Sequence, residues 1–254
     1  METSGSGEPL VLVHGALTDH TTWGDVAGLL SASFRVVTYD RRGHSCSERA
    51  YGPRSTHEDD LGALIEAVAG GPAHVAGTSY GGSIALGLVS RRPHLVRSVI
   101  AHEPPLLSVA ERNSQLEAQV RSVKALLNEV VEHLRTGETM TGVVRFIEEV
   151  TVGPDMWEQL PLRVRETMVD NAPTLLASLE DPEWADLDTQ ALPRTSRRIL
   201  LTQGRRSPSW FAALMSEIAH VLGGVDRHTF PCAGHVPHLT HPSEFIDRVR
   251  SFCD

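Results

Sequence analysis

The chain has 254 residues, 41% of them hydrophobic, and a formal net charge of -9 at pH 7. That length suits one α/β domain with room for an inserted subdomain, and the hydrophobic content excludes extended disorder. The acidic balance, with Lys124 the only lysine, argues against nucleic acid, whose phosphates need clustered cations.

A small-molecule substrate is the expected partner. Cys46, Cys232 and Cys253 form neither a CxxC pair nor a ligand cluster with histidine, and no His-Glu-x-x-His pattern occurs. A reduced compartment, no metal and no other cofactor are therefore expected. The opening "METSGSGEPLVLVHG" has no basic region followed by a long apolar run, and no stretch approaches the length of a bilayer span. The expectation is a cytoplasmic protein without a membrane partner, monomeric or homodimeric.

In chain order, Leu10 to Val13 and Arg35 to Tyr39 read as strands, followed by a helix with Leu61, Leu64, Ile65 and Val68 on one face. Ala73 to Gly77 and Ser98 to His102 are further strands, separated by the helical "GGSIALGLV". Residues 105–192 then hold helical patterns only. Leu116, Val120, Val123, Leu127, Val130 and Leu134 follow the spacing of a long amphipathic helix, with further helices over Val143 to Val150 and Pro161 to Leu179.

Strands return at Ile199 to Thr202 and Asp226 to Phe230, around a helix with Phe211, Leu214, Met215, Ile218, Val221 and Leu222 on one face. Phe245, Ile246, Val249 and Phe252 mark a final helix. The alternation predicts an α/β fold with a doubly wound, mostly parallel sheet. Residues 1–104 and 193–254 would form its core and 105–192 an inserted helical lid. A flexible "TSGSG" is expected at the start.

Gly77-Thr78-Ser79-Tyr80-Gly81 lies between an apolar strand and a helix. In G-x-S-x-G the serine sits on a strained strand-to-helix turn, which needs small flanking residues and exposes its hydroxyl as a nucleophile. The same turn aims the Tyr80 N-H, at a helix N-terminus, toward a developing oxyanion. His14-Gly15 ends the first long strand, where a turn can offer the Ala16 N-H as a second donor and His14 holds the turn. "PCAGHVPHLTHP" places His235 near the carboxyl edge of the sheet as the candidate base. His238 and His241 are expected to pack against or cap the last helix. The imidazole must be neutral to act, so activity is expected to rise from acidic toward mildly alkaline pH.

"LVLVHGA", "VVTYDRRGHSCS", "VAGTSYGG" and "CAGHVPHLTHP" together resemble the α/β-hydrolase superfamily over nearly the whole chain. The resemblance implies an eight-stranded, mostly parallel sheet, a cap after the sixth strand, and a triad in the order Ser, acid, His. The two leading strands are expected to be missing or truncated, because so little chain precedes "LVLVHG".

The family's usual acid follows the seventh strand, yet "ILLTQGRRSPSWF" offers Arg205, Arg206 and Ser207 there. A cation cannot orient an imidazolium. "SVIAHEPP" instead puts Glu103 directly after the sixth strand, at the same sheet edge, which resembles family branches such as the zearalenone-type lactonases. Glu103 could alternatively be a structural carboxylate at the lid hinge, with Asp170 as the next candidate acid. Asp40 is expected to tie the "RRGH" loop.

A serine at position 79 argues against dehalogenase and epoxide hydrolase chemistry, which use a carboxylate nucleophile. Expected instead is a serine hydrolase acting on a carboxylic ester or lactone of small to medium apolar substrates. Carbon-carbon hydrolysis, thioester hydrolysis or a noncatalytic ligand-binding role remain alternatives. Met156, Trp157, Trp184 and Trp23 are candidate substrate-binding walls.

Overall fold

In the computed structural model, which describes residues 1–186, 188, 190–192 and 195–254, seven strands form one sheet in the order β1-β3-β2-β4-β5-β6-β7. They are β1 (Glu2–Ser4), β2 (Glu8–Val13), β3 (Phe34–Thr38), β4 (Ala73–Thr78), β5 (Val96–His102), β6 (Arg198–Gly204) and β7 (Asp226–Phe230). All neighbouring pairs are parallel except β1 with β3. From β2 the chain crosses first to β3 and then back to β4 on the other side. The carboxyl ends of β2 and β4 therefore form the topological switch point, where open α/β sheets bind ligands.

Alternate residues of each strand feed two separate cores, as the two-residue period of a strand requires. Val11, Val13, Val75, Val99 and Leu201 join one apolar cluster, while Leu10, Leu12, Ala76, Ile100 and Leu200 join the other. In chain order the helices are α1 (Gly24–Leu30), α2 (Arg54–Leu64), α3 (Tyr80–Arg91), α4 (Leu107–Ala110), α5 (Glu117–Arg135), α6 (Thr139–Arg145), α7 (Leu162–Asp170), α8 (Ala172–Glu180), α9 (Ser209–Leu222), α10 (Pro237–Thr240) and α11 (Pro242–Cys253). Residues of α2, α3 and α9 cover the first face, and those of α1 and α11 the second. With both faces covered, β4 is buried along its whole length, and its small and apolar residues are interrupted only by the buried His74 and Thr78.

Helices α4 to α8 all lie between β5 and β6. Val120, Val123, Leu127 and Val130 of α5 are buried in the same cluster as α3 and α9, so this helical segment shares a core with one face of the sheet. Helix α6 runs into a wider π-helical turn, Phe146–Thr151, a feature often found beside functional sites. The expected return to the core at Pro193 lies outside the described residues. No helix among the described residues is long and apolar enough to cross a membrane.

One strand corrects the sequence expectation. Thr3 and Ser4 of the "TSGSG" expected to be flexible instead belong, with Glu2, to a strand that pairs antiparallel with β3, Glu2 opposite Thr38. All three of its residues are exposed, so the strand is held by backbone hydrogen bonds and leaves no apolar alternation to detect. Gly5 (φ +76°) turns the chain away from β1, at a place where a side chain would run into the carbonyls of Ser31 and Phe34. The sheet thus has seven strands, one fewer than the eight the resemblance implied.

Candidate active site

Ser79 stands alone between β4 and α3, with φ 52° and ψ -125°, a backbone region that L-residues occupy only under constraint. The constraint comes from the two glycines that flank it. A side chain on Gly77 would collide with the Gly81 carbonyl, and one on Gly81 with the Val13 carbonyl. The Ser79 N-H donates to the His102 carbonyl at 2.7 Å, locking the turn to β5. Tyr80 begins α3, so its N-H belongs to the first helical turn, which has no intrahelical acceptor.

The loop after β2 is fixed from within. His14 donates from Nδ1 to the Gly15 carbonyl (2.9 Å), and its Nε2 accepts the Arg41 N-H (3.0 Å). The buried Arg41 side chain donates to the His14 and Gly15 carbonyls at 3.2 and 2.8 Å. It also lies over the Tyr80 ring, 5.1 Å from the centroid. One guanidinium therefore ties together the two turns that carry Ala16 and Tyr80. Burial holds it below the usual arginine range, at about 10, so it stays charged at neutral pH. Burial, reinforced by this cation, pushes His14 and His44 well below the usual imidazole range. Asp40 ties its loop as expected, accepting from the His20 N-H and from the Cys46 N-H.

Glu103 follows β5 directly, with φ 44° and no solvent exposure. Its Oε2 lies 2.6 Å from Nδ1 of His235 and accepts from Ser207 Oγ at 2.9 Å, while Oε1 accepts the Gly204 N-H at 2.8 Å. Burial opposes its charge, but the His102 and His235 imidazoles and the hydrogen bonds from His235 and Ser207 hold the carboxyl below its usual range. The loop after β6, which lacks a carboxylate, thus supplies donors to the carboxylate that arrives from β5. Arg205 and Arg206 on that loop are exposed.

His235 reaches Glu103 because the two loops are bonded together. Arg205 N-H donates to the Phe230 carbonyl and Arg206 N-H to the Ala233 carbonyl, both at 3.0 Å. The His235 ring stacks on Phe211, with centroids 4.5 Å apart and planes at 23°, so a bond to Glu103 and a ring face fix its orientation. His102 is buried beneath, with Nε2 3.5 Å from Glu103 Oε2. Burial pushes it down to about 4, so it is neutral at pH 7.

Among the described residues, two groups bring metal-ligating atoms within 4.8 Å of one another: His102 with Glu103 and His235, and Asp19 with His20 and Asp40. In the first, the Glu103 oxygens already accept from the Gly204 N-H, Ser207 Oγ and His235 Nδ1. In the second, Asp19 accepts from the Thr21 N-H and the Thr21 and Ser45 hydroxyls. The carboxylates of Glu103 and Asp19 are therefore already engaged by protein donors.

Ser79 and His235 open onto a cavity of about 200 Å³ whose wall includes Ala16, Phe146, Met156, Met168, His238 and Leu239. A second cavity of about 30 Å³ also touches Ser79 and is lined by Tyr80, Leu175, Trp184, Trp210 and Phe211. Of the expected walls, Met156 lines the first and Trp184 the second. Trp157 and Trp23 line neither. Trp157 is buried in the core, with the Arg165 guanidinium 5.9 Å from its ring. Trp23 is fully buried on the opposite face of the sheet, between His238 and Phe245. Asp170 is exposed on α7, far less suited to a buried imidazole than Glu103. His238 lies against Phe245 of the final helix as expected, with ring centroids 6.1 Å apart, and it also packs on Trp23 and lines the larger cavity. No local sequence pattern marks His102, Arg41, Ser207 and Phe211 as site residues, because the contacts that matter, Phe211 with His235, Arg41 with Gly15, His102 with Thr202 and Ser207 with Glu103, join residues 24 to 104 positions apart.

The sequence profile of the alpha/beta hydrolase family matches residues 10–248. An uncharacterized hydrolase, YraK, of Bacillus subtilis is 41% identical over 46% of this chain, a match that spans only 45% of that protein. A pimeloyl-[acyl-carrier protein] methyl ester esterase of Nitrosomonas europaea is 27% identical over 97% of this chain and 96% of its own. Among solved structures, an alpha/beta hydrolase from Sphaerobacter thermophilus superposes with a TM-score of 0.71 at 26% identity, covering 97% of this chain and 94% of that one.

Proposed function

The chain belongs to the alpha/beta hydrolase family, and from that premise we propose that it cleaves a carboxylic ester or lactone of a small to medium apolar substrate through an acyl-enzyme. The observation that carries the proposal is the 2.6 Å contact between His235 Nδ1 and the fully buried Glu103, beside the strained Ser79. A charged carboxylate there fixes the Nδ1-H tautomer and leaves Nε2 free to take a proton.

Ser79 Oγ attacks the carbonyl carbon as His235 Nε2 removes its proton. The carbonyl oxygen becomes an oxyanion held by the Tyr80 and Ala16 N-H groups. The intermediate collapses, and His235 returns the proton to the leaving alcohol. Water, deprotonated by the same imidazole, then attacks the acyl carbon and releases the acid and Ser79. Similarity over nearly its full length to a methyl ester esterase supports ester hydrolysis over the other reactions this triad can serve. The mostly apolar wall of the larger cavity fits an apolar substrate. In this proposal helices α4 to α8 act as the lid that closes both cavities.

A fluorophosphonate probe tests the nucleophile. Wild-type protein should be labelled at Ser79 and should hydrolyse p-nitrophenyl acetate, and Ser79→Ala should do neither. Folded wild-type protein that resists labelling and leaves the ester intact would remove serine chemistry from consideration.

A further inference from the structure

Ser79 sits where two unequal cavities meet, and Ala16, Phe146 and Thr151 line both of them. Phe146 and Thr151 begin and end the π-helical turn, so this turn divides the space above the nucleophile. The two sides differ in chemistry as well as size. His235, Val236, His238 and Leu239 line the wide cavity, together with Thr18, Thr21 and Thr22. The narrow one is bounded by Leu127, Val150, Leu175, Trp184, Trp210 and Phe211, without His235.

That asymmetry orients an ester. The imidazole that takes the Ser79 proton must deliver it to the leaving oxygen, which has to lie within about 3 Å of His235 Nε2. The alcohol therefore departs on the side that holds His235. The oxyanion is directed to the Tyr80 and Ala16 N-H groups, which leaves the narrow pocket for the remaining substituent of the carbonyl, the acyl chain.

Resting on the serine-hydrolase assignment above, we propose that the protein selects esters of a short apolar acid with a much larger alcohol, the acyl chain entering the pocket under Trp184 and Trp210. At about 30 Å³ that pocket holds roughly two or three water-sized groups, the reach of an acetyl to butyryl chain. The wide cavity, at about 200 Å³, takes a bulky alcohol. The narrow wall is braced: Trp210 Nε1 donates to the Val150 carbonyl at 3.0 Å, and its ring stacks on Phe211 at 3.7 Å. It therefore resists opening for a longer chain. A lactone joins acid and alcohol in one ring and would leave one of the two spaces unused, so an open-chain ester fits the division better.

The test is kcat/KM over two substrate series with purified full-length protein. In p-nitrophenyl esters from acetate to decanoate, the value should fall by at least about 100-fold beyond butyrate, in keeping with the roughly tenfold or greater cost of an unaccommodated methylene. In acetates of increasing alcohol size, from methyl to naphthyl, it should hold steady or rise. Trp184→Ala should raise the ratio of octanoate to acetate kcat/KM by at least about tenfold. Octanoate turned over as fast as acetate, or the steeper fall appearing in the alcohol series, would overturn the division while leaving serine chemistry intact. Failure of the fluorophosphonate label together with both series would instead strike the serine-hydrolase assignment and the division with it.

Discussion

At the carboxyl edge of the sheet, Ser79 and Glu103 each take the first position after a strand, each with positive φ, and each is bonded through its backbone N-H to the neighbouring strand. In the helical segment between β5 and β6, Met156, Trp157 and Trp184 are placed by packing between helices. The backbone of the first region dictates where a side chain points, whereas in the second a side chain goes wherever apolar volume allows. Positions of the first kind should answer mutation in chemistry, and those of the second in stability or substrate choice.

The largest expected effect tests the first region. Glu103→Gln keeps the shape of the side chain but offers an amide to three donors, the Gly204 N-H, the Ser207 hydroxyl and His235 Nδ1-H. The amide oxygen cannot satisfy all three, so the imidazole is driven to the wrong tautomer, which in the serine-protease triad lowers kcat by about 10⁴. A comparable loss with an unchanged circular dichroism spectrum is expected. Full activity in the variant would make Glu103 a structural carboxylate and reopen the search for the acid.

Next comes a contrast within the helical segment. Trp157 is 6% exposed and lines neither cavity, so Trp157→Ala should lower stability by about 3 to 5 kcal/mol and leave KM within about twofold. Met156→Ala, at the wall of the larger cavity, should raise KM with a smaller stability loss. Denaturant melts beside steady-state kinetics separate the two; a Trp157 variant of normal stability and raised KM would erase the distinction between packing and lining.

The same contrast explains what was legible in the sequence. The central parallel strands announce themselves because both faces of the sheet are covered there, which favours apolar runs such as "LVLV". Ser79 and His235 were legible because the turns that carry them need glycine at fixed offsets. Glu103 emerged once the loop after β6 offered no carboxylate. The donors to Glu103 were not legible: Gly204 and Ser207 lie 101 and 104 positions away in the chain, and no local pattern joins them. Trp157 and Trp23 misled because an aromatic in a helical pattern records that it is buried without saying against what. Strand β1 stayed hidden because all three of its residues are exposed and leave no apolar alternation.

Acid provides a test of intermediate size, spread over the buried histidines of the core. Burial, helped by Arg41 and Arg42, pushes His57 down to about 3, and burial takes His238 to about 3 and His102 to about 4. An unfolded imidazole protonates near 6.5, so below that pH the unfolded chain binds protons that the folded chain refuses. Stability contributed by keeping these rings neutral is fully present above about pH 6.5. It declines by about 1.4 kcal/mol per pH unit per group as pH falls toward the folded values. Urea midpoints should therefore drop steadily from pH 6.5 to 4.5. His57→Phe should flatten that slope by about one proton; an unchanged slope would mean that His57 charges in the folded protein.

The smallest expected effects fall on the loop after β6, and they separate a working contact from a bystander a residue or two away. Ser207 Oγ donates to the same oxygen of Glu103 that holds His235. A hydrogen bond to a buried charge is worth about 1.5 to 3 kcal/mol, but Ser207 is only half-buried and water can take over part of its role. Ser207→Ala should thus lower kcat by about three- to tenfold with KM little changed, because Gly204 and His235 still hold the carboxylate. Arg205 is exposed and binds this site only through its backbone N-H, which a substitution retains. Arg205→Ala should therefore change kcat by less than about twofold. Equal effects at the two positions would show that the loop acts through its overall charge, and the hydroxyl's aim at Glu103 would lose its meaning.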